Sequence, residues 1–385
     1  MSAFQPATFS IIEPSSLQTV IDKLKALGYA TVGPTVKEGV IVGGPINSVE
    51  DLPRGWTDFQ DAACYRLVER QDRALFGYVL GPQSWKKYVY PPRLNLWRVA
   101  QREGRQEIDA ASSNHERVAF IGVRSCEIQA LRILDAVLAQ GDYTDADYRA
   151  RRRDNFIVAV NCVEPGGTCF CSSLGTGPSA RDGFDLALTE VCQPGEHFML
   201  VQSGSERGTE LLKGVAVTPA ADEQVTRAQT LLEQAAGRMG RRLDPTDLKP
   251  LLYRNAENRY WEQVGKRCLA CANCTLVCPT CFCMTVEDVT DLTGTQAART
   301  RRWDSCFNEA YSYIHGGCVR TSPSARYRHW ISHKLGTWQD QFGMIGCVGC
   351  GRCITWCPVG IDITEEIGAI RAGEQASKET VSAKE

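Results

Sequence analysis

Six cysteines fall between positions 268 and 283, in the run CLACANCTLVCPTCFC. Thiols at that density pair as disulfides, hold zinc or ligate an iron–sulfur cluster. Disulfides belong to small secreted domains in oxidising compartments. This chain has 385 residues and 43% hydrophobic content, ample for packed cores. Its opening, MSAFQPATFSIIEPSS, lacks the basic-then-apolar pattern of a signal peptide. No apolar run approaches the ~18 residues of a membrane helix, so no membrane span is expected. These features point to a cytoplasmic chain whose thiols are free for metal.

Zinc sites usually take two ligand pairs separated by roughly a dozen residues or more. Here Cys268, Cys271, Cys274 and Cys278 stand at C-x2-C-x2-C-x3-C, with Pro279 behind them. That is the run of bacterial ferredoxins, in which three cysteines hold one cubane and the fourth reaches another. The run recurs in CVGCGRCITWCPVGIDI, as Cys347, Cys350, Cys353, Cys357 and Pro358. Two matching runs read as a dicluster ferredoxin module. Crossed ligation assigns Cys268, Cys271, Cys274 and Cys357 to one [4Fe–4S] cluster. It assigns Cys347, Cys350, Cys353 and Cys278 to the other.

A third group lies upstream. The stretch RVAFIGVRSCEIQALRILDAVLA reads as a buried strand passing into a helix, with Cys126 at the turn. The strand NFIVAVNC delivers Cys162, and the glycine-rich loop CVEPGGTCFCSSLGTGP adds Cys169 and Cys171. If the two strands are parallel neighbours, their C-terminal ends gather all four thiols where open α/β sheets bind ligands. On the residues alone two readings stay open: a third [4Fe–4S] cluster, or buried apolar thiols at Cys126 and Cys162. Cys64 and Cys192 are isolated. Cys281, Cys283, Cys306 and Cys318 are expected to pack against or hydrogen-bond the cluster sulfurs rather than hold a metal.

The elements that must position these thiols follow from periodicity. SSLQTVIDKLKALGY reads as an amphipathic helix opened by serine caps, and TVGPTVKEGVIVGGP as a hairpin. From Arg117 to Gly214 strand and helix signals alternate, as in βαβ units. Beyond Ala221 charged helices dominate, with TDLKPLLYRNAENRYWEQVGKRC reading as one helix that feeds the first cysteine run. The expected architecture is an α/β N-terminal domain (1–220) followed by a mainly α-helical dicluster ferredoxin-like domain (221–373). An insert occupies 284–346, and a polar, disordered tail occupies 374–385. Between Arg299 and Lys334 the insert carries seven Arg or Lys against Asp304 and Glu309. This patch either offsets cluster charge or docks a partner, or it is a solvated face. A net charge of −2 gives no general attraction to nucleic acid. Neither G-x-G-x-x-G nor a P-loop is present, and the five histidines form no HExxH. No catalytic residue set is visible.

In order along the chain, SWKKYVYPP, GVRSCEIQALRILD, CVEPGGTCFCSSLGTGP, CLACANCTLVCPTCFC, RRWDSC and CVGCGRCITWCPVGIDI resemble the β subunit of the cytosolic sulfhydrogenases, NAD(P)-linked nickel–iron hydrogenases. The A subunit of anaerobic sulfite reductase is similar. The resemblance implies an electron conduit between a flavin subunit that meets NAD(P)H and the small and large subunits of a NiFe hydrogenase. It implies three [4Fe–4S] clusters, and maps the third onto Cys126, Cys162, Cys169 and Cys171. A proline is expected before the first of these, where this chain has Ser125. Arg124, one residue earlier, either lies near that cluster or makes a surface salt bridge. A sulfite or polysulfide reductase is the alternative terminus for the same conduit, and a zinc-binding assembly scaffold is the alternative of another class.

Overall fold

The computed structural model describes residues 9–102, 105–110 and 115–382. Residues 1–8 of the opening and 383–385 of the expected tail lie outside them.

Strand β1 (Ser10–Ile12) leads to a helix at Leu17–Ala26 that buries Leu17, Val20, Ile21 and Leu24 along one face. The serines before it form a 3-10 turn, Pro14–Ser16, and no side chain caps the helix. The expected hairpin is β2 (Ala30–Lys37) and β3 (Val40–Pro45), turned through Glu38 and Gly39 at φ 51° and 76°. A separate hairpin follows, β4 (Trp56–Asp61) and β5 (Cys64–Glu69). After a short helix, Lys86–Val89, and the Pro91–Pro92 break, β6 (Arg93–Arg102) pairs with β7 (Arg105–Ala110). Then come β8 (Val118–Val123), a helix at Ser125–Leu138, β9 (Phe156–Val160), β10 (Leu186–Gln193), β11 (Glu196–Ser203) and β12 (Thr218–Pro219).

The main sheet runs β12-β1-β11-β10-β9-β8-β2-β3. Its centre, β2-β8-β9-β10, is parallel, and the outer pairs are antiparallel. All five residues of β9 are buried, as expected of a parallel strand covered on both faces. The strands β8 and β9 are adjacent, so the chain ends that follow them emerge side by side.

Downstream, Asp222–Gly237 is helical as expected. The next helix is two helices, Leu248–Arg254 and Tyr260–Arg267. Asparagines cause the break. The Asn255 side chain donates to the Leu251 carbonyl, and the Asn258 side chain accepts from the Tyr260 amide. They take up backbone groups that a continuous helix would need. The insert holds β13 (Met284–Thr290) and β14 (Gln296–Trp303). Strand β14 pairs with β6, giving a four-stranded sheet β13-β14-β6-β7 built from both halves of the sequence. The expectation of a mainly helical second part misses this sheet. The last helix, Ile363–Ser382, enters the stretch expected to be a disordered tail. Ile363, Ile367 and Ile370 seat it in the core, and Arg254 pairs with Glu374 at 2.8 Å. Among the described residues no helix is long and apolar enough to cross a membrane.

Candidate iron–sulfur sites

The two cysteine runs fold alike. In each, the residues flanking the second cysteine take the left-handed conformation: Ala270 and Ala272 at φ 50° and 68°, Gly349 and Gly351 at 63° and 72°. A short helix follows each, Asn273–Leu276 and Arg352–Thr355. Such backbone turns aim amides inward, toward an anion. The amides of Ala270 and Gly349 lie 3.4 and 3.5 Å from the sulfurs of Cys268 and Cys347. Those of Thr280 and Ile361 lie 3.4 and 3.3 Å from Cys278 and Cys357. The second run needs glycine where the first tolerates alanine. A Cβ on Gly351 would come within 2.4 Å of the Thr168 carbonyl, and one on Gly349 within 2.6 Å of the Cys171 amide.

The two runs meet. Cys268, Cys271 and Cys274 of the first run and Cys353 and Cys357 of the second line one recess, walled by Phe307, Tyr327, Trp330 and Ile361. Burial pushes the Cys268 thiol up, and Cys357 and Cys271 add to the shift. Burial likewise holds Cys274 well above the usual thiol range, reinforced by Cys268, Cys357 and Cys271. Cys278 bears on Cys347, Cys350 and Cys353 of the other run, and on Cys274 of its own. Burial raises Cys353 well above its ordinary value, with Cys347, Cys350 and Cys278 adding to it. Cys347 is pushed up to about 11 by burial, against the opposing charge of Lys334. Cys271 is the exposed member of the eight.

The upstream cysteines also converge. Cys126 opens the helix after β8, Cys162 follows β9, and Cys169 and Cys171 lie in the loop toward β10. Burial raises all four thiols. Cys171 adds to the shift at Cys126, Cys171 and Cys162 at Cys169, and Cys162 at Cys171. Cys350 bears on Cys126, Cys169 and Cys171, and its carbonyl is 3.8 Å from the Cys169 sulfur. The upstream set therefore abuts the second run. The Ser125 hydroxyl donates to the carbonyls of Thr176 (2.8 Å) and Ser179 (2.9 Å). Among the described residues Arg124 makes no salt bridge. It is buried, donates to the carbonyls of Phe76, Tyr78, Val160 and Asn161, and opposes the burial shift at Cys162.

Residues that the sequence reading did not single out complete the site. Lys334, 4% exposed, places its ammonium 3.2 Å from the Cys278 sulfur, 2.9 Å from Thr280 Oγ1 and 2.9 Å from the Gly346 carbonyl. Lys86, 3% exposed, donates to the carbonyls of Cys278 and Cys281 and lies over the Trp303 ring. Arg352 and Glu127 form a buried ion pair beside Cys350. Neither lysine has a carboxylate partner among the described residues. A buried ammonium without a counter-charge costs several kcal/mol: burial pulls Lys86 below its ordinary value, whereas Lys334, despite its burial, is held well above it by Cys278, Cys281 and Cys347, as anionic sulfurs would do. The residues fit an anionic cluster. Among the described residues no group of three or more His, Cys, Asp or Glu is arranged to hold a metal ion. One signal for Lys334 was available: it falls at helical spacing with Tyr327, Trp330 and Ile331, on an otherwise apolar face.

The rest of the basic insert is largely neutralised. Arg299 pairs with Asp288, Arg301 with Asp145 and Arg302 with Glu287, while Arg326 donates to carbonyls of Phe307, Arg320 and Thr321. Cys64 and Cys192 stand in strands β5 and β10, apart from these sets. Cys281 and Cys278 perturb each other's ionisation, as do Cys283 and Cys306.

Residues 267–361 match the family model described as a 4Fe-4S dicluster domain. Sulfhydrogenase 2 subunit beta of Pyrococcus furiosus is 33% identical over 332 residues, covering 85% of this chain and 95% of that one. No solved structure matches. The two ferredoxin-type runs and the upstream cysteine set thus lie on a chain that belongs to the sulfhydrogenase beta-subunit family.

Proposed function

We propose that the chain holds three [4Fe–4S] clusters in a line. It relays electrons between a flavin-bearing subunit that meets NAD(P)H and the small and large subunits of a cytoplasmic NiFe hydrogenase. The coarser assignment, an iron–sulfur electron-transfer subunit, rests on the dicluster domain and the family. In the finer one, Cys126, Cys162, Cys169 and Cys171 hold the first cluster of the line. Cys347, Cys350, Cys353 and Cys278 hold the middle one, and Cys268, Cys271, Cys274 and Cys357 the last. Residues 1–220 form the unit around the upstream set and 221–373 the ferredoxin-like unit.

The observation that carries this reading is the position of Cys350, beside three upstream thiols and within the second run. When bound, such clusters take up and pass on single electrons. The chain's own part is to supply thiolates, exclude water and set the charge around each site. Lys334 and Arg124 place positive charge beside Cys278 and Cys162, while the charge of Arg352 is offset by Glu127. At the far end, Cys271 is exposed beside exposed Leu269 and Val359, which suits docking of a redox partner.

The test is the Cys169→Ser, Cys171→Ser variant in the assembled complex. It should lose about four irons of about twelve, one cubane of three. It should retain hydrogen oxidation with an artificial dye and lose most NAD(P)-linked turnover. Full NAD(P)-linked turnover without that cluster would take the upstream set off the path.

A further inference from the structure

The recess lined by Cys268, Cys271, Cys274 and Cys357 takes two of its wall residues, Tyr327 and Trp330, from one helix, Pro323–Ser332. They stand three positions apart, so they share a face of it. Both are almost wholly buried, at 2% and 3% exposure. Each carries a polar atom, the Tyr327 hydroxyl and the Trp330 indole N–H. Both atoms are shut off from bulk water and have no hydrogen-bond partner among the described residues. A buried donor left unsatisfied bears its full desolvation cost, and native proteins rarely keep one. Two such donors side by side on the wall of one recess point to an acceptor inside it.

The protein offers little else for them. Glu366, whose charge bears on Tyr327, already accepts from the Tyr260 hydroxyl and from Arg267, each at 2.6 Å. Apart from Asn273, the side-chain acceptors lining the recess are cysteine sulfurs. The rings are also held in place. Tyr327 and Trp330 pack edge to face with centroids 5.5 Å apart, and both pack edge to face on Phe307, at 6.3 and 5.9 Å. Their helix starts at Ser322, whose hydroxyl accepts from the Ala325 amide at 3.2 Å. Its first turn lies so close to the helix Tyr260–Arg267 that a Cβ on Gly265 would come within 2.6 Å of Ser324. The donors are therefore set in place by packing.

We propose that Tyr327 and Trp330 set the potential of the last site: the hydroxyl and the indole N–H donate hydrogen bonds to sulfur of the cluster held by Cys268, Cys271, Cys274 and Cys357. The proposal rests on the iron–sulfur reading. Hydrogen bonds to the sulfurs favour the reduced, more negative form and raise its potential. The two residues hold no iron; they act on it through the sulfurs.

The experiment uses the anaerobic holocomplex with Tyr327→Phe, which removes one hydroxyl, and Trp330→Phe, which removes the N–H and keeps a ring. Potentiometric titration followed by electron paramagnetic resonance should find the last cluster harder to reduce in each. The expected change is about threefold in the one-electron equilibrium, or about 30 mV, and about tenfold, or about 60 mV, in the double variant. Electron–nuclear double resonance should show one exchangeable proton fewer coupled to that cluster in each single variant. Iron per chain and the potential of the middle cluster should not change. Unchanged midpoints in both variants would overturn the proposal and leave the rings as packing. So would a shift confined to another cluster, or the loss of about four irons, one cubane, from either variant, since the ring would then be a wall of the site and not a donor. Zinc, or no iron, in the unmodified complex would instead refute the iron–sulfur reading, and metal analysis detects that separately.

Discussion

Lys334 directs its ammonium at the sulfur of Cys278, 3.2 Å away, from the interior of the protein. Burial works against that charge, but Cys278, Cys281 and Cys347 outweigh it and hold the Lys334 pKa well above its ordinary value. The lysine is a positive charge held at Cys278, the last cysteine of the first run.

A fixed cation beside a cluster favours its reduced, more negative form and raises its potential. Replacement by an uncharged chain of similar length, Lys334→Met, should lower the potential of the middle cluster by about 60 mV or more. That figure corresponds to a tenfold change in a one-electron equilibrium. Lys334→Arg should restore most of the shift. Potentiometric titration followed by electron paramagnetic resonance reads it; an unchanged potential in the Met variant would leave Lys334 a packing residue.

Crossed ligation makes an asymmetric prediction. Cys278→Ser should damage the cluster of Cys347, Cys350 and Cys353, and Cys357→Ser that of Cys268, Cys271 and Cys274. Each should lose about four irons, one cubane. The shared recess of Cys357 with the first run motivates the pairing. Spectra showing each variant losing the cluster of its own run would mean that the runs close on themselves.

The dicluster domain was legible in the sequence, because the cysteine spacings are local. The upstream set was legible because β8 and β9 are short, wholly apolar and parallel, so Cys126 and Cys162 had to emerge together. The charges were not legible. Lys86 reaches Cys278 across 192 positions and Arg352 meets Glu127 across the two halves, and no local pattern encodes such distances. The pairing of β14 with β6 was missed for the same reason. The broken helix was written in Asn255 and Asn258, whose side chains compete with the backbone.

The junction between the upstream loop and the second run depends on glycine. Gly351→Ala adds a Cβ that meets the Thr168 carbonyl at 2.4 Å, on top of a φ of 72°. Gly294→Ala has a similar φ, 69°, but nothing within 4 Å. The Gly294 variant should lose on the order of 1 kcal/mol, from backbone strain alone. The Gly351 variant should lose roughly 2–3 kcal/mol or more, adding the cost of overpacking, and should retain iron poorly. Thermal unfolding of the two holoproteins compares them; equal losses would remove the close approach from the account.

Hydrogen bonds from Cys306 and Tyr311 hold the Cys283 thiol down to about 6 despite burial. An ordinary thiol ionises near about 8.5. Between those values the unfolded chain binds a proton that the folded sulfur has lost. The stability this group contributes is therefore complete above about pH 8.5 and is lost as pH falls through about 6. Alkylation of Cys283 in the reduced holoprotein should rise with a midpoint near pH 6 and level off above pH 7, and Tyr311→Phe should move the midpoint upward. A rate still climbing through about pH 8.5, the range of an unperturbed thiol, would contradict this.

The central claim is three clusters in a line with the middle one at Cys350. Anomalous diffraction at the iron edge from crystals of the holoprotein tests it most directly. The account predicts three compact iron peaks per chain: one among Cys126, Cys162, Cys169 and Cys171, one at Cys347, Cys350, Cys353 and Cys278, and one at Cys268, Cys271, Cys274 and Cys357. Two peaks with the upstream cysteines bare, or single zinc ions at any of these sets, would contradict it.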